Sequence, residues 1–524
     1  MRKLSTLFCA VLMTLSAMAT DYKGNLTVSI NGEGSTQPAT ISIVENAGKY
    51  NLSILNFMLG EGESVLPVGN IVIENVTGAV AGNLTTLYVN KNITIQKGNV
   101  AGIADDAWLG PMLGEVPVKM SSSFNTNGFL GVNIDIDMVS TLGQVIKVTF
   151  ENVGNHFQMP NSDFETWSNE NNAPKHWHGF ESVKGKLSGT AKSKTKLVSS
   201  KNVRPGSKGL TSAVVTSTKV FTVIANGTMT NGVLNAGSMF AADASNHSET
   251  NLSSTDVDAN GDPFATPMYA KPDSVKFWMR FTQAKAQASY PNAAFNAVIT
   301  DGTYYQDPED KTYTNKVAVA APNKADMTVG DWRLVSCPFD YASYAANGAE
   351  AKAILLTVST NATPGKGSYS NGVADSVYVD DLELVYLADI KSVSFKGATL
   401  DLTNTDIDIA DDDVISASDF VVEKKGEDAK VTTLVEANAK GYQAVISVVS
   451  GDLNTQKTLV FNFNKPVWAD GDVNHDGVVD LADVTLLINK VLGADATQLY
   501  NPDVNADGKV DVADVTTLVS LILG

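Results

Sequence analysis

Asp472-Val-Asn-His-Asp-Gly-Val-Val-Asp-Leu-Ala-Asp-Val-Thr-Leu-Leu-Ile-Asn-Lys-Val-Leu-Gly493 returns as Asp503-Val-Asn-Ala-Asp-Gly-Lys-Val-Asp-Val-Ala-Asp-Val-Thr-Thr-Leu-Val-Ser-Leu-Ile-Leu-Gly524, with fourteen of 22 positions identical. Each copy opens with oxygen-bearing side chains at loop positions 1, 3, 5, 9 and 12 and a glycine at 6. A hard cation that takes about six to eight oxygen ligands needs such an arrangement. The pattern predicts two calcium sites. The first uses Asp472, Asn474, Asp476, Asp480 and Asp483 with the carbonyl of Val478, and Gly477 makes the turn. The second uses Asp503, Asn505, Asp507, Asp511 and Asp514 with the carbonyl of Lys509, and Gly508 makes the turn.

Behind each loop the apolar residues recur at i, i+3, i+4, i+7 and i+8. They are Val484, Leu487, Ile488, Val491 and Leu492, then Val515, Leu518, Val519, Ile522 and Leu523. This spacing predicts two short amphipathic helices that bury their stripes against each other. No long helix enters either loop, because Pro466 lies just upstream of the first and Pro502 abuts the second. Position 12 is Asp where an ordinary EF-hand carries a bidentate Glu. Residues 468–524 thus resemble the dockerin family, whose paired half-EF-hands bind calcium and dock onto cohesin modules of polysaccharide-degrading assemblies. A cohesin-like partner is what the resemblance implies. Loop positions 10 and 11, often Ser-Thr in that family, are Leu481-Ala482 and Val512-Ala513 here.

The N-terminus reads as an export signal over residues 1–19: Arg2 and Lys3, an apolar stretch from Leu4 to Leu15, and Ala17-Met-Ala19 as the cleavage site. Thr6-Leu-Phe8 ahead of Cys9 lacks the small residues that lipidation requires. Export places the chain at the cell surface, outside the cell or in the periplasm. One thiol, Cys337, then remains, as a buried apolar group in a strand from Arg333 to Phe339, and no disulfide can form within the chain. No later segment has the roughly 18 apolar residues of a membrane span. A formal charge of -19, or -21 once Arg2 and Lys3 are removed, argues against a nucleic-acid partner.

The expected architecture is mainly β. From 20 to 157, alternation such as Leu26-Thr-Val28-Ser-Ile30 and Val132-Asn-Ile134-Asp-Ile136 marks half-buried antiparallel strands, and Asn31-Gly32 and Asn127-Gly128 mark turns. With Tyr22-Lys-Gly-Asn-Leu26 and Leu66-Pro-Val-Gly-Asn-Ile71, this stretch resembles the calycin-like β-barrel of exported Bacteroidetes proteins. Such barrels either hold a small apolar ligand or fill with side chains. Residues 158–388 open with Phe164-Glu-Thr-Trp167 and close with Val379-Asp-Asp-Leu-Glu-Leu-Val-Tyr386. They resemble carbohydrate-binding jelly rolls and, more closely, a carbohydrate metabolism domain of gut Bacteroidetes. Residues 389–467 read as a small immunoglobulin-like sandwich acting as a spacer. The acidic run from Asp406 to Asp413 reads as a solvated loop.

Several further clusters invite chemistry. His176 and His178 stand on one face of a presumed strand, with His156 as a candidate third metal ligand; the alternative is two surface histidines around a core Trp177. Glu165, Asp380 and Asp381 could share a structural ion, as the first and last strands of related jelly rolls do, or sit solvated at a sheet edge. Asp256-Val-Asp-Ala-Asn-Gly261 imitates half a calcium loop, but Phe264 and Pro267 occupy positions that need oxygens, so a turn is expected. Lys184, Lys186, Lys192, Lys194, Lys196, Lys201, Arg204 and Lys208 suggest a protected edge strand or an anionic-glycan site. Tyr269, Tyr290, Tyr304 and Tyr305 are candidates to stack on sugar rings or to fill cores. No nucleophile elbow, zinc motif or phosphate loop is present. A glycosidase acid pair leaves no motif, so hydrolysis stays open. The favoured function is non-catalytic carbohydrate binding, with a glycoside hydrolase or a structural surface adhesin as the alternatives.

Overall fold

The computed structural model describes residues 19–60, 65–152, 157–168, 173–194, 197–220, 222–494 and 499–524. The expected leader up to Met18, Cys9, His156 and Lys196 lie outside the described residues. The chain forms two compact units. The first comprises residues 1–392, 422–432 and 446–458, and the second 393–421, 433–445 and 459–524.

The first unit begins with eight antiparallel strands. They are β1 (Ala19–Ile30), β2 (Glu33–Asn46), β3 (Lys49–Leu59), β4 (Leu66–Ala81), β5 (Leu84–Thr94), β6 (Glu115–Asn125), β7 (Leu130–Met138) and β8 (Gln144–Asn152). Each pairs with the next, and β1 pairs with β8 in the register Leu26↔Phe150, so the sheet closes into a barrel without an edge. The period-two pattern sends Leu26, Ile41, Leu52, Ile73, Leu87, Met120 and Phe150 inward, where all are buried in one apolar cluster. At Gly69, where β4 shifts register against β3, φ is 129° and an added Cβ would sit 2.2 Å from the carbonyl oxygen of Gln96. Only glycine tolerates that approach.

Next comes a sandwich of two five-stranded sheets. The first runs Gly330–Pro338, Ser274–Thr282, Ser376–Val385, Ser212–Thr216, Leu197–Ser200. The second runs Thr228–Thr230, Ala353–Ser359, Ala294–Thr300, Lys316–Ala320, with Thr266–Pro267 also on Ala353–Ser359. Val275, Phe277, Met279 and Phe281 of the first sheet meet Phe295, Ala297, Leu356 and Val358 of the second, and Phe277 stacks on Phe295 at 4.2 Å. Cys337 is buried in this core as expected, and burial pushes its thiol up to about 12. Residues 389–464 contribute two small sheets, of three and four strands. Within the second unit, Phe395, Phe420 and Phe463 pack ring against ring. The acidic run is not wholly a loop, since Asp406–Asp408 forms a short strand parallel to Asn462–Asn464. Its backbone has a neighbour to pair with that charge composition could not announce.

Candidate functional site

The two loops of the C-terminal repeat fold alike because their residues impose the same local geometry. Position 4 takes a left-handed backbone in both, with φ 56° at His475 and 57° at Ala506. The glycine at position 6 follows at φ 90° and 85°. Asp472 accepts hydrogen bonds from the N–H of Asp476 and Gly477 (3.1 and 2.9 Å), and Asp503 from those of Asp507 and Gly508 (3.1 and 2.8 Å). Asp480 and Asp511 cap the following helices, Leu481–Val491 and Val512–Leu523. Asp483 and Asp514 complete reciprocal capping boxes with them. Position 12 is therefore a helix cap as well as a candidate ligand.

The donor chemistry fits a hard cation. Asp483 and Asp514 are fully buried and Asp472 is 3% exposed, yet no ion pair among the described residues involves a loop carboxylate. Asp514 is held below the usual carboxylate range, chiefly by the N–H of Asp511 and further by that of Asn505. N–H groups compensate part of the burial of a carboxylate, and a cation compensates the rest. Among the described residues the carboxylates turn toward backbone N–H groups, and no group of three or more His, Cys, Asp or Glu side chains is arranged to hold a metal.

The helices pack through Val484, Leu487 and Leu518, with Val479, Leu499, Val504 and Val515 around them. This seam is narrower than the stripes predict. Ile488, Leu492, Val519, Ile522 and Leu523 remain exposed, as do Leu481 (73%) and Val512 (66%) at loop position 10. Two helices of this length meet along one line and leave the flanks of each stripe uncovered.

Sequence reasoning missed an aromatic stack. The ring of His475 lies between Trp468 (4.5 Å, 17°) and Tyr500 (3.9 Å, 12°), which joins the segment before the first loop to the segment before the second. The only available signal was one aromatic residue shortly ahead of each loop.

The jelly-roll candidates disperse. His176 lies in a turn with φ 66°, not on a strand, and its Nδ1 is 3.5 Å from Asp262. His178 is fully buried, its Nε2 3.1 Å from the carbonyl of Pro263 and its Nδ1 3.7 Å from Asp258. Asp258 also accepts from the N–H of Asn260 and Asp262, which makes the expected turn. Glu165 accepts from the N–H of Leu210 and Thr211, while Asp381 pairs with Arg204. Leu197–Ser200 is indeed an edge strand, but the lysines do not alternate along it. Lys186, Lys192 and Lys194 lie in turns, and Lys184 pairs with Asp256. Tyr305 is buried against Tyr313 and offers no face to a sugar. Tyr304 bonds Glu249, Tyr269 packs against Phe129 and Phe157, and Tyr290 faces the ammonium of Lys366.

Asp380 is fully buried, and desolvation, opposed by the N–H of Arg204, pushes its carboxyl up to about 6. Its folded-state pKa lies above the unfolded value, so ionisation above pH 6 costs stability and protonation below it removes the cost. Asp380→Asn should stabilise the protein at pH 7.5 by about 1–3 kcal/mol, with the gain fading as pH falls from about 6 to about 4. Denaturant midpoints at pH 7.5 and pH 4.5 check this. An equal gain at both would contradict it.

Residues 18–153 match the family model of the calycin-like β-barrel domain, and residues 470–523 that of the dockerin type I domain. No curated protein matches the chain. Among solved structures, a Bacteroides fragilis protein described as an outer membrane protein is 11% identical, over 65% of this chain and 96% of that one, at a TM-score of 0.18. The M60 catalytic domain with two CBM51 domains from Clostridium perfringens is 13% identical, over 86% of this chain and 40% of that one, at a TM-score of 0.15. At such scores neither likeness bears on what this chain does. The eight-stranded barrel and the paired loops with their helices coincide with the two family matches, and the chain carries a calycin-like β-barrel domain followed, at its other end, by a dockerin type I domain.

Proposed function

We propose that this is an exported, non-catalytic carbohydrate-binding protein whose dockerin module attaches it, with calcium, to a cohesin-like partner at the cell surface or outside the cell. The observation that carries the reading is the construction of residues 468–524. Ten oxygen-bearing side chains are set in two like loops, and each loop opens a helix that leaves an apolar flank exposed. Two calcium ions would be held by Asp472, Asn474, Asp476, Asp480, Asp483 and the Val478 carbonyl, and by Asp503, Asn505, Asp507, Asp511, Asp514 and the Lys509 carbonyl. Bound calcium supplies the positive charge that lets these carboxylates converge. The chain's own residues then position the helices: the capping boxes fix their starts, and Leu487 against Leu518 fixes their spacing. Among the described residues no helix is long and apolar enough to cross a membrane.

The carbohydrate reading rests on the jelly-roll sandwich of residues 158–388 and its module-like ends. Affinity should be weak, at micromolar to millimolar, or about -4 to -8 kcal/mol, because ordering a hydrated flexible sugar offsets most of the contact energy. The test is to incubate the purified protein with host and plant glycans and to measure binding by calorimetry and reducing-end release together. Binding without release is expected. Release that vanishes when one carboxylate is replaced would make the protein a hydrolase, and silence in both assays would leave a structural adhesin.

A further inference from the structure

The outer face of the second jelly-roll sheet does not open straight to solvent. Met229, Phe295, Ala297, Leu356 and Val358 point into the sandwich core, so alternation sends Thr228, Ala294, Asn296, Thr357 and Ser359 to the other side. Register places Ser359 between Thr228 and Ala294, and Thr357 beside Asn296. Around this patch stand a three-stranded sheet (Val233–Ala236, Asn246–Thr250, Tyr305–Asp307) and the paired strands Thr218–Val220 and Val223–Ala225. Together they line a cavity of about 460 Å³, within the size range of small-molecule sites.

Its chemistry is two-sided. Val220, Val223, Leu234, Ala236 and Met239 supply an apolar wall, while the sheet supplies amides and hydroxyls. Asn226 donates through Nδ2 to the hydroxyl of Ser359 (3.0 Å) and the carbonyl of Asn361 (2.8 Å), which fixes its amide. Its Oδ1 is left buried without a partner among the described residues, and so is the hydroxyl of Thr357. Among the described lining residues there is no lysine or arginine, whereas Asp307 is one of them. His247, the titratable cation among the described lining residues, is engaged by Glu249 at 3.0 Å, so an anion would meet an already paired charge there. A purely hydrocarbon ligand would leave the Asn226 oxygen and the Thr357 hydroxyl unsatisfied.

We infer that this cavity binds an uncharged, hydroxyl-bearing ligand about one or two sugar rings in size, its apolar face on the Val220–Leu234 wall and its hydroxyls toward Thr357 and Asn226. The inference rests on the carbohydrate reading above and gives it a location. Recognition comes from neutral hydrogen bonding on one side of the ring and apolar contact on the other.

Two variants of the full-length protein test it, Thr357→Val and Ala294→Trp, against glucose, galactose, fucose, N-acetylglucosamine, their disaccharides and glucuronate, by titration calorimetry. The Thr357 hydroxyl has no partner among the described residues, so a structural role predicts unchanged stability and unchanged affinity. As a ligand contact, its loss should weaken binding about five- to tenfold with the melting temperature kept. Ala294→Trp fills the cavity and should abolish binding. If the wild type binds a neutral sugar and either folded variant binds it as tightly, the site is elsewhere and the inference fails while the carbohydrate reading stands. Binding of long glycans but of none of these small sugars has the same consequence. Glucuronate bound as well as glucose would overturn the claim of a neutral ligand. If no sugar of any length binds, the inference and the reading fall together.

Discussion

Chelation of calcium should abolish the helical circular dichroism of the isolated segment Trp468 to Gly524, and added calcium should restore it. The apolar seam between the two helices is small: among the described residues, Val484, Leu487 and Leu518 are buried in it. Ordering a residue costs about 1–2 kcal/mol in backbone entropy, so a seam of this size cannot hold a segment of this length by itself. Without a cation, the buried carboxylates of Asp472, Asp483 and Asp514 add a further penalty. Metal binding energy thus becomes folding energy, as it does in other small metal-dependent domains. Replacing Asp472 and Asp503 together with Ala should have the effect of chelation, because each removes the carboxylate that draws positions 5 and 6 into the turn. Full helicity in chelator would show that the segment folds on its own packing.

The second large effect concerns docking. Leu481 and Val512 occupy loop position 10 in the two repeats, are both well exposed, and begin helices of matching geometry. A partner that recognises one helix face would meet nearly the same face after a half-turn of the module. Leu481→Asp alone or Val512→Asp alone should therefore weaken docking little, by about the twofold expected when one of two equivalent modes is lost. The double variant should eliminate docking, since a charge placed in an apolar contact costs several kcal/mol in each mode. Surface plasmon resonance with a cohesin module in calcium measures this. Complete loss from either single change would mean that one face alone is used.

The parts of the fold that could be read from sequence were those where period and function coincide. Alternation at Leu26, Val28 and Ile30 or at Val132, Ile134 and Ile136 reports a one-sided strand, and the barrel places these residues inward. Loop oxygens at fixed offsets report a loop geometry whatever the tertiary context, and the left-handed backbones at positions 4 and 6 bear that geometry out in both copies. The aromatic stack on His475 was not legible, because Tyr500 stands 25 residues further along the chain and no local pattern reports that the two rings meet. The jelly-roll cavity was hidden for a different reason. Thr228, Asn296, Thr357 and Ser359 alternate with core residues just as solvent-facing polar residues would, and polarity in a strand does not distinguish water from a walled pocket. Trp177 is the core residue the sequence suggested, but the strand expected around it is a turn from Pro174 to Trp177 with a left-handed backbone at His176.

The Trp468–His475–Tyr500 stack has no counterpart in the second repeat, where Ala506 stands in the place of His475. The two repeats therefore match in their loops and helix caps and differ in this stack. The preceding chain enters at Trp468, clamped against the first loop, whichever helix a partner grips. Turning the module over on a fixed partner would carry that entry point to the opposite side and send the preceding chain off along a different heading. One attachment point would then serve two placements of the same cargo.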